Sequence, residues 1–436
     1  MTQAGVEPAR ASCYRAAPPG VVREQSGPTV MKITALETIQ VAEFSNLVWL
    51  HLHTDAGIVG LGETFRNSAA VVAYLHETVA PYLIGRDPRQ VERHADALTH
   101  RVGNHFFGYP SRSIEYRGNS AADLALWDIK AKALGVPLHE LLGGTCHDRL
   151  RVYNTCASDG YNKQARADIN SAQIGPGDAP APAGALDDLA AQHADPGALA
   201  ESLLADGITA MKVWPFDAYA TESRGHHISP EGLETGVAKL RAIRDAVGSR
   251  MDIMLELHSL WHLPAALQIA RAVDGLGLYW LEDPIDTANF DDLARYRDAV
   301  GSRVTASENL GSVRWCREAL QRGAVDVVSS DLVWLGGVTA GRRIAALAEA
   351  FDRPVAFHDC AGPVGFWTNL HLLFASPNAL VMESVRAYTR GFYRDILVDL
   401  PRIENGHAFA DSGPGLGAEL KPELLARPDT AVRRTG

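Results

Sequence analysis

Three glutamates recur at a constant interval in the second half of the chain. Glu256, Glu282 and Glu308 stand 26 residues apart, and each follows a short run rich in apolar or β-branched residues. One strand plus one helix fits this spacing, so each run predicts a strand of a parallel barrel. The three carboxylates would then emerge together at the carboxyl ends of the strands, where barrel enzymes keep their active sites.

The same rhythm continues with three further polar residues. Asp331 follows Glu308 by 23 residues, His358 comes another 27 residues on, and Glu383 another 25. A solvated strand end or a helix N-cap would explain a single acid equally well. Six polar residues that each follow one of six successive predicted strands indicate a shared site instead.

Converging carboxylates need a compensating positive charge. Two carboxylates about 4 Å apart repel by roughly 4 kcal/mol in a medium of intermediate dielectric, so three would cost on the order of 12 kcal/mol. A marginally stable protein cannot leave such repulsion uncompensated. A divalent cation is the simplest compensation, and an all-oxygen ligand set favours Mg²⁺, with Mn²⁺ possible, over zinc. We therefore predict that the three glutamates are metal ligands.

Composition is consistent with a globular enzyme and excludes several other classes. The net charge of −11 over 436 residues argues against nonspecific binding of nucleic acid or anionic membrane. No apolar run reaches the roughly 18 residues of a membrane span. The five cysteines are scattered and odd in number, so they predict neither a disulfide framework nor a zinc motif. A reducing cytoplasm is the expected compartment.

Periodicity divides the chain into segments. Residues 1–30 contain Pro, Gly and Arg without an apolar core segment, so they do not predict a secretory signal. They predict either a disordered extension or a translation start assigned too far upstream. Residues 31–149 predict an α+β capping domain, and residues 150–400 predict a TIM-like (β/α)7β barrel. A flexible insertion is expected at about 158–196, and residues 401–436 form a C-terminal segment.

These motifs resemble the enolase superfamily, in particular its mandelate racemase-like branch. The resemblance covers about residues 31–420 and rests on these segments: ELH, WLEDP and SEN for the metal, SDLVWLGG and FHDCAGP for a His-Asp dyad, LVMES for the last acid, and ALWDIKAKALGVPLHELLGG before the barrel. It implies proton abstraction next to a substrate carboxylate, with Mg²⁺ stabilising the enediolate. It also implies that the C-terminal segment returns to the capping domain.

One segment departs from that branch. The resembled enzymes commonly carry Lys-x-Lys at the end of the second barrel strand, whereas this chain reads Lys212-Val213-Trp214. The base on the face opposite the histidine is therefore missing, which disfavours a two-base racemase. Lys212 remains available to neutralise the substrate carboxylate or the enediolate, or simply to cap a strand. Trp214 is predicted to form a wall of the substrate pocket.

The remaining polar residues suggest an acid and a base. His358 is the predicted base, because imidazole titrates near neutral pH and Asp331 is placed to fix its tautomer. His258 lies two residues after Glu256, on the same face of a strand. In the resembled dehydratases of the galactonate type, a histidine at this position protonates a departing 3-hydroxyl; a supporting role at the metal is the alternative. Glu383 resembles the branch's protonated carboxyl that donates to the substrate carboxylate.

These assignments predict β-elimination of water from a sugar acid, giving a 2-keto-3-deoxy acid. A cycloisomerase acting on a sugar-acid lactone or anhydro sugar is the alternative; a racemase or epimerase, or a noncatalytic metal- and sugar-acid-binding relative, is less favoured. We expect a small-molecule sugar-acid substrate and a homo-oligomer between dimer and octamer. Further candidates for substrate contact lie in capping-domain loops and at the barrel rim: Phe44, Asn46, His105, Tyr109, Arg386 and Tyr388.

Overall fold

Two β-sheets organise the part of the chain that the structure describes. The structure is a computed structural model, and it describes residues 31–100, 111, 113–161, 163, 186–306, 308 and 312–436. Its strands are β1 (Ile33–Val41), β2 (Leu47–Thr54), β3 (Val59–Phe65), β4 (Leu150–Thr155), β5 (Ala210–Val213), β6 (Asp252–Glu256), β7 (Trp280–Glu282), β8 (Arg303–Ala306), β9 (Val327–Val328), β10 (Met382–Ser384), β11 (Ile403–Glu404), β12 (His407–Ala408) and β13 (Thr430–Thr435). One sheet has the order β13-β1-β2-β3, and the other strands form a nine-stranded sheet.

Helices occupy most of the remaining described chain. They are α1 (Ser68–Tyr74), α2 (Ala80–Leu83), α3 (Val91–His100), α4 (Glu115–Leu134), α5 (Leu138–Leu141), α6 (Asp188–Ala194), α7 (Pro196–Ala205), α8 (Pro230–Val247), α9 (Leu263–Val273), α10 (Phe290–Ala299), α11 (Val313–Gln321), α12 (Gly337–Ala350), α13 (Pro363–Phe374), α14 (Arg386–Arg390), α15 (Tyr393–Ile396) and α16 (Pro422–Leu425), with a π-helical stretch, Leu75–Val79, between α1 and α2. Ser229 caps α8 as Ser-Pro predicts, since its hydroxyl accepts the Gly232 N–H at 3.1 Å. Within the described residues, no helix combines the length and apolarity needed to cross a bilayer.

The four-stranded sheet belongs to the capping domain, and α4 packs against it. Gly62 on β3 permits this close approach, because a Cβ at that position would collide with the Ala121 carbonyl of α4. The C-terminal strand β13 pairs antiparallel with β1, with Thr430 opposite Val41 and Thr435 opposite Leu36. The end of the C-terminal segment thus joins the capping sheet, whereas β11 and β12 of the same segment extend the barrel sheet through β4.

Parallel strands β4 to β9 pair in chain order, as a barrel requires. Isolated parallel bridges continue the order from Val328 to Val355 and from Val355 to Ala379, and β10 then pairs with β4. The pairing therefore returns to its starting strand through eight positions. The strand predicted before His358 is held only by isolated bridges, one of which joins His358 to Asp331.

The predicted insertion at 158–196 is partly helical. Helix α6 begins after Asp187, whose carboxylate accepts the Ala190 N–H at 2.9 Å, and Asp187 also bridges to Ser158 on the other side of the insertion. The prediction of a flexible loop throughout is therefore wrong for the end of this segment. The reason is physical: the Leu- and Ala-rich sequence around Leu189 supports a helix once one face is buried.

Arg386 links this helical region to the barrel. Its guanidinium donates from two nitrogens to the two carboxylate oxygens of Asp188, both at 2.8 Å, and from the third to Asp206 at 2.8 Å. The side chains of Arg386 and Asp188 are only 5% and 3% exposed. The structure thus contradicts the predicted substrate contact of Arg386, because acids on the barrel wall already engage its donors.

Replacing Arg386 should therefore cost stability. We expect Arg386→Met to lower the free energy of unfolding by about 3–5 kcal/mol, because Asp188 would remain buried without its partner. Urea denaturation followed by circular dichroism measures the loss.

Arg390→Met is the matched control, since Arg390 also pairs with Asp206 at 2.8 Å but is 46% exposed. That substitution should cost less than about 1 kcal/mol. Equal losses in the two variants would contradict a structural role for Arg386.

Candidate active site

The candidate site forms the layer of side chains directly above the barrel core. The core layer is a separate cluster of buried residues drawn from seven of the eight strand positions: Tyr153, Ala210, Met254, Trp280, Val327, Ala356 and Val381. The polar residues two positions further along five of these segments are Lys212, Glu256, Glu282, His358 and Glu383. Because side chains alternate along a strand, residues two apart point to the same face. An apolar floor therefore lies beneath a polar layer.

Lys212 lies at the centre of this polar layer. Its Nζ is 2.9 Å from Glu282, 3.0 Å from Glu383 and 3.6 Å from Glu256. Burial by itself would lower the pKa of Lys212, but Glu282 and Glu383 outweigh it and raise the pKa well above its usual value. In this structure Lys212 offsets part of the negative charge of these three carboxylates.

Two of the predicted metal ligands are neighbours across paired strands. Glu256 and Glu282 are register partners on β6 and β7. Backbone N–H groups of Leu257 and His258 donate to Glu256 Oε1 at 2.9 and 2.6 Å, and the Trp280 indole donates to Glu282 Oε2 at 2.9 Å. These hydrogen bonds fix the direction of one oxygen of each carboxylate. Burial raises the pKa of Glu282 well above its usual value despite the attraction of Lys212.

Glu308, the third predicted ligand, contacts the histidine across the site. Its Oε2 lies 2.7 Å from His358 Nε2, and this interaction outweighs burial and lowers the pKa of Glu308. Among the described residues, the oxygens of the three glutamates do not all lie within 4.8 Å of one another. The donor set is nevertheless all oxygen and mostly buried, and it fits a hard divalent cation.

His358 and Asp331 form the predicted dyad. His358 Nδ1 is 2.8 Å from Asp331 Oδ2, and the other Asp331 oxygen accepts the Val333 N–H at 2.8 Å. Burial would lower the pKa of His358, but Glu308 and Glu383 outweigh it and raise the pKa well above its usual value. Asp331 therefore orients one ring nitrogen, and Nε2 points into the site.

Glu383 differs from its predicted protonated state. Although burial raises the pKa of Glu383, the Lys212 ammonium and His358 outweigh it and lower the pKa to about 2. The Thr155 hydroxyl donates to one carboxylate oxygen, and the Asp359 N–H donates to the other at 2.7 Å. An ionised Glu383 accepts hydrogen bonds here and does not donate them.

His258 has a carboxylate partner that sequence reasoning missed. Its Nδ1 lies 2.6 Å from Asp217 Oδ2, and Asp217 is buried in the short 3₁₀ turn Asp217–Tyr219 after β5. Burial raises the pKa of Asp217 to about 6. Burial also opposes charging of His258, but Asp217 and Glu256 outweigh it and raise the pKa of His258 to about 10. The one sequence signal for this partner was that Asp217 is an acid five residues after Lys212, and it does not follow the 26-residue spacing of the other site residues.

The backbone also explains how His258 reaches Asp217. Strand β6 ends at Glu256, and His258 and Ser259 adopt left-handed φ angles of 48° and 59°. The alternation of side chains along a strand therefore does not determine the position of His258, contrary to the prediction. The left-handed turn after β6 directs His258 towards Asp217.

Trp214 is buried beside His258. Its indole ring is edge-on to the His258 ring, with centroids 5.5 Å apart, and tilted against Tyr161 at 5.8 Å. The indole Nε1 is buried and has no hydrogen-bond partner among the described residues. A buried N–H donor next to His258 is thus available to a ligand.

Other predicted substrate contacts are packing residues. Phe44 is fully buried and stacks on Phe392 with ring centroids 5.7 Å apart. The buried Tyr388 hydroxyl lies 3.5 Å from the Cys360 sulfur. Asn46 is 5% exposed. His105 and Tyr109 lie outside the described residues.

Arg117 is a second residue that the sequence did not reveal. Its guanidinium stacks over Trp334 at 4.4 Å, and the Trp334 ring lies 5.4 Å from the His358 ring. Burial lowers the pKa of Arg117 to about 10, opposed by the attraction of Asp331 and Glu308. This cation comes from helix α4 of the capping domain, so only tertiary packing brings it to the barrel site.

Comparisons with known proteins agree with this arrangement. Residues 196–424 match the enolase C-terminal domain-like family, and residues 21–143 match the mandelate racemase / muconate lactonizing enzyme N-terminal domain. A D-gluconate dehydratase from Thermoproteus tenax is 31% identical over 392 residues, 88% of this chain and 70% of its own length. A D-galactonate dehydratase from Variovorax paradoxus is 31% identical over 409 residues, 91% and 94% of the two chains.

A solved structure extends the similarity to three dimensions. An enolase of the mandelate racemase subgroup from Agrobacterium tumefaciens has a TM-score of 0.80 and 42% sequence identity, covering 93% of this chain and 98% of that chain. The predicted resemblance is confirmed: this chain belongs to the enolase superfamily, in its mandelate racemase and muconate lactonizing enzyme-like branch.

Proposed function

We propose that the protein is an acid-sugar dehydratase, a carbon–oxygen hydro-lyase that converts a sugar acid to a 2-keto-3-deoxy acid. The observation that carries this proposal is a pair of histidine–carboxylate dyads, His358–Asp331 and His258–Asp217, on opposite sides of the barrel mouth. His258 follows the third strand position and His358 lies at the seventh of eight. The similarity to gluconate and galactonate dehydratases supports it.

Binding of the substrate carboxylate depends on the three glutamates. Members of the enolase superfamily generally use Mg²⁺, and we propose that Glu256, Glu282 and Glu308 hold it here, with Mn²⁺ a possible substitute. Such a cation stabilises the negative charge that develops when the neighbouring C–H bond is broken. Lys212 offsets the excess negative charge of the ligand set and keeps Glu282 and Glu383 in position.

Proton removal is assigned to His358. Its Nε2, which lies 2.7 Å from Glu308 in this structure, would accept the proton from the carbon next to the carboxylate once Glu308 binds the cation instead, and Asp331 holds the ring in that orientation. The electron pair of that C–H bond forms a double bond to the next carbon, and the carbon–oxygen bond at that next carbon breaks. His258 donates its proton to the departing hydroxyl, which leaves as water. The enol product then becomes the 2-keto-3-deoxy acid.

The site supports this reaction better than the alternatives. A two-base racemase needs a second base where this chain has Trp214, whose indole is a donor only. A noncatalytic binder has no need of two oriented histidines. A cycloisomerase would use His358 in the same way but needs less help from His258, so substitution of His258 discriminates between them.

We also propose a cytoplasmic homo-oligomer, between dimer and octamer. Four cysteines in the described part of the chain, Cys146, Cys156, Cys316 and Cys360, are not disulfide-bonded, which is consistent with a reducing compartment. Analytical ultracentrifugation would give the mass in solution, and a purely monomeric species would contradict the oligomer.

The first prediction concerns the metal ligands. Glu282→Gln removes one ligand charge and should weaken Mg²⁺ binding and abolish turnover without unfolding the barrel, because the amide keeps the shape of the side chain. Calorimetric titration of Mg²⁺ measures the affinity. Glu349→Gln, on the exposed face of α12, is the control and should bind Mg²⁺ normally. Unchanged affinity in Glu282→Gln would remove Glu282 from the ligand set.

The second prediction concerns the base. His358→Asn should lose turnover by a factor of about 10² to 10⁴ and lose exchange of the substrate α-hydrogen with D₂O, while Mg²⁺ still binds. Asp331→Asn should lose less, because Asp331 orients the base and does not carry the proton. NMR in D₂O follows the exchange. Surviving exchange in His358→Asn would assign the base elsewhere, with Lys212 the next candidate.

The third prediction separates elimination from enolisation. His258→Gln should slow product formation by about 10² or more. Exchange of the α-hydrogen should continue, because His358 and Asp331 are intact. Asp217→Asn should also slow product formation while leaving exchange of the α-hydrogen intact. Its effect should be smaller than that of His258→Gln, since Asp217 positions His258 and does not donate the proton. Full dehydratase activity in His258→Gln would overturn the acid role and favour a cycloisomerase.

A further inference from the structure

A second set of metal-ligating side chains lies on the capping sheet, away from the glutamate site. Glu37 on β1 is the register partner of His51 on β2, and His53 is two residues further along the same strand. Because strand side chains alternate, His51 and His53 project from one face. Glu37 projects beside them, and all three are partly exposed, at 18%, 18% and 22% for Glu37, His51 and His53.

The distances within this trio are those of metal ligands. Glu37 Oε1 lies 3.6 Å from His51 Nδ1 and 3.7 Å from His53 Nε2. These separations exceed those of ordinary hydrogen bonds. Ligand atoms about 2.0–2.1 Å from a tetrahedral zinc ion stand about 3.4 Å apart. Glu37 Oε1 is therefore within a few tenths of an ångström of the ligand spacing to each imidazole, and the three ligand atoms all lie within 4.8 Å of one another.

The hydrogen bonding of the trio is incomplete. His53 Nε2 is buried and has no hydrogen-bond partner among the described residues. Arg434, opposite Glu37 on β13, lies 3.4 Å from Glu37 Oε2, which leaves Oε1 directed at the two imidazoles. A buried imidazole nitrogen without a partner is unusual, and an ion between it and the carboxylate would satisfy it.

Nearby cations are themselves paired. The Lys132 ammonium is 2.6 Å from Asp128 and 3.0 Å from the Val59 carbonyl, and the Arg434 side chain is 54% exposed and free to turn outward.

Among the described residues, Glu37, His51 and His53 are the group of His, Cys, Asp or Glu whose ligand atoms all lie within 4.8 Å of one another.

We propose that Glu37, His51 and His53 bind a divalent transition-metal ion, with zinc the best fit. Two imidazoles and one carboxylate favour zinc over Mg²⁺, and three protein ligands leave a fourth position for water. The ion would cross-link β1 to β2. This site differs in chemistry from the all-oxygen glutamate site, so the two should not compete for the same ion.

Zinc chloride titrated into the full-length protein tests the proposal, with Mg²⁺ present in excess to occupy the glutamate site. Calorimetry should show one zinc per chain, and zinc should raise the melting temperature because only folding brings the three ligands together in one site. Substitutions beyond the direct ligands already cost roughly 10- to 100-fold in metal affinity, so His51→Gln and His53→Gln should each lose about 100-fold or more. Circular dichroism confirms that the variants are folded.

Two controls make the result specific. His227→Ala removes an exposed histidine outside the trio and should leave zinc affinity unchanged, and Glu282→Gln should also keep it. Cobalt chloride offers a second readout, since tetrahedral Co²⁺ absorbs strongly in the visible range and His53→Gln should remove that absorption. Failure of wild type to bind zinc in the presence of Mg²⁺ would overturn the proposal. Equal zinc affinity in wild type and the folded His51→Gln and His53→Gln variants would also overturn it.

Discussion

The Lys212 ammonium group lies within 3.6 Å of three buried carboxylates, and the rest of the site is arranged around that contact. Two like charges about 4 Å apart cost roughly 4 kcal/mol at an intermediate dielectric, and burial increases the penalty. A single cation cannot balance all the acids of this layer. His358 and His258 therefore carry positive charge as well: Glu308 and Glu383 raise the pKa of His358, and Asp217 and Glu256 raise the pKa of His258.

The barrel supplies the geometry that makes such charge tolerable. An apolar layer containing Met254 and Trp280 closes the floor, so the polar layer above it faces a dry core on one side and the mouth on the other. The strand order then fixes positions: carboxylates at three successive strand ends, His358 at the seventh and His258 beyond the third. The proposed acid and base therefore lie on opposite sides of the barrel mouth, which suits an elimination with two separate proton transfers.

The capping domain contributes in two different ways. Arg117 reaches from α4 to Trp334 beside His358, which places a capping-domain cation near the chemistry. The trio of Glu37, His51 and His53 lies on the capping sheet and contains two imidazoles, which are softer ligands than carboxylates. The proposed zinc site and the proposed Mg²⁺ site would therefore differ in ligand type.

Because strand ends recur in phase along the chain, the barrel, the strand-end positions of the three glutamates and the His358–Asp331 contact could be predicted without coordinates. Tertiary structure decided the rest. Asp217 meets His258 only through a left-handed turn, and Arg386 binds Asp188 on a helix inside the segment that composition had suggested was a loop. The ionisation of Glu383 depends on Lys212, which is 171 residues away in the chain and 3.0 Å away in space. Periodicity encodes which face a residue takes, but it does not encode which charges will surround that residue when the chain folds.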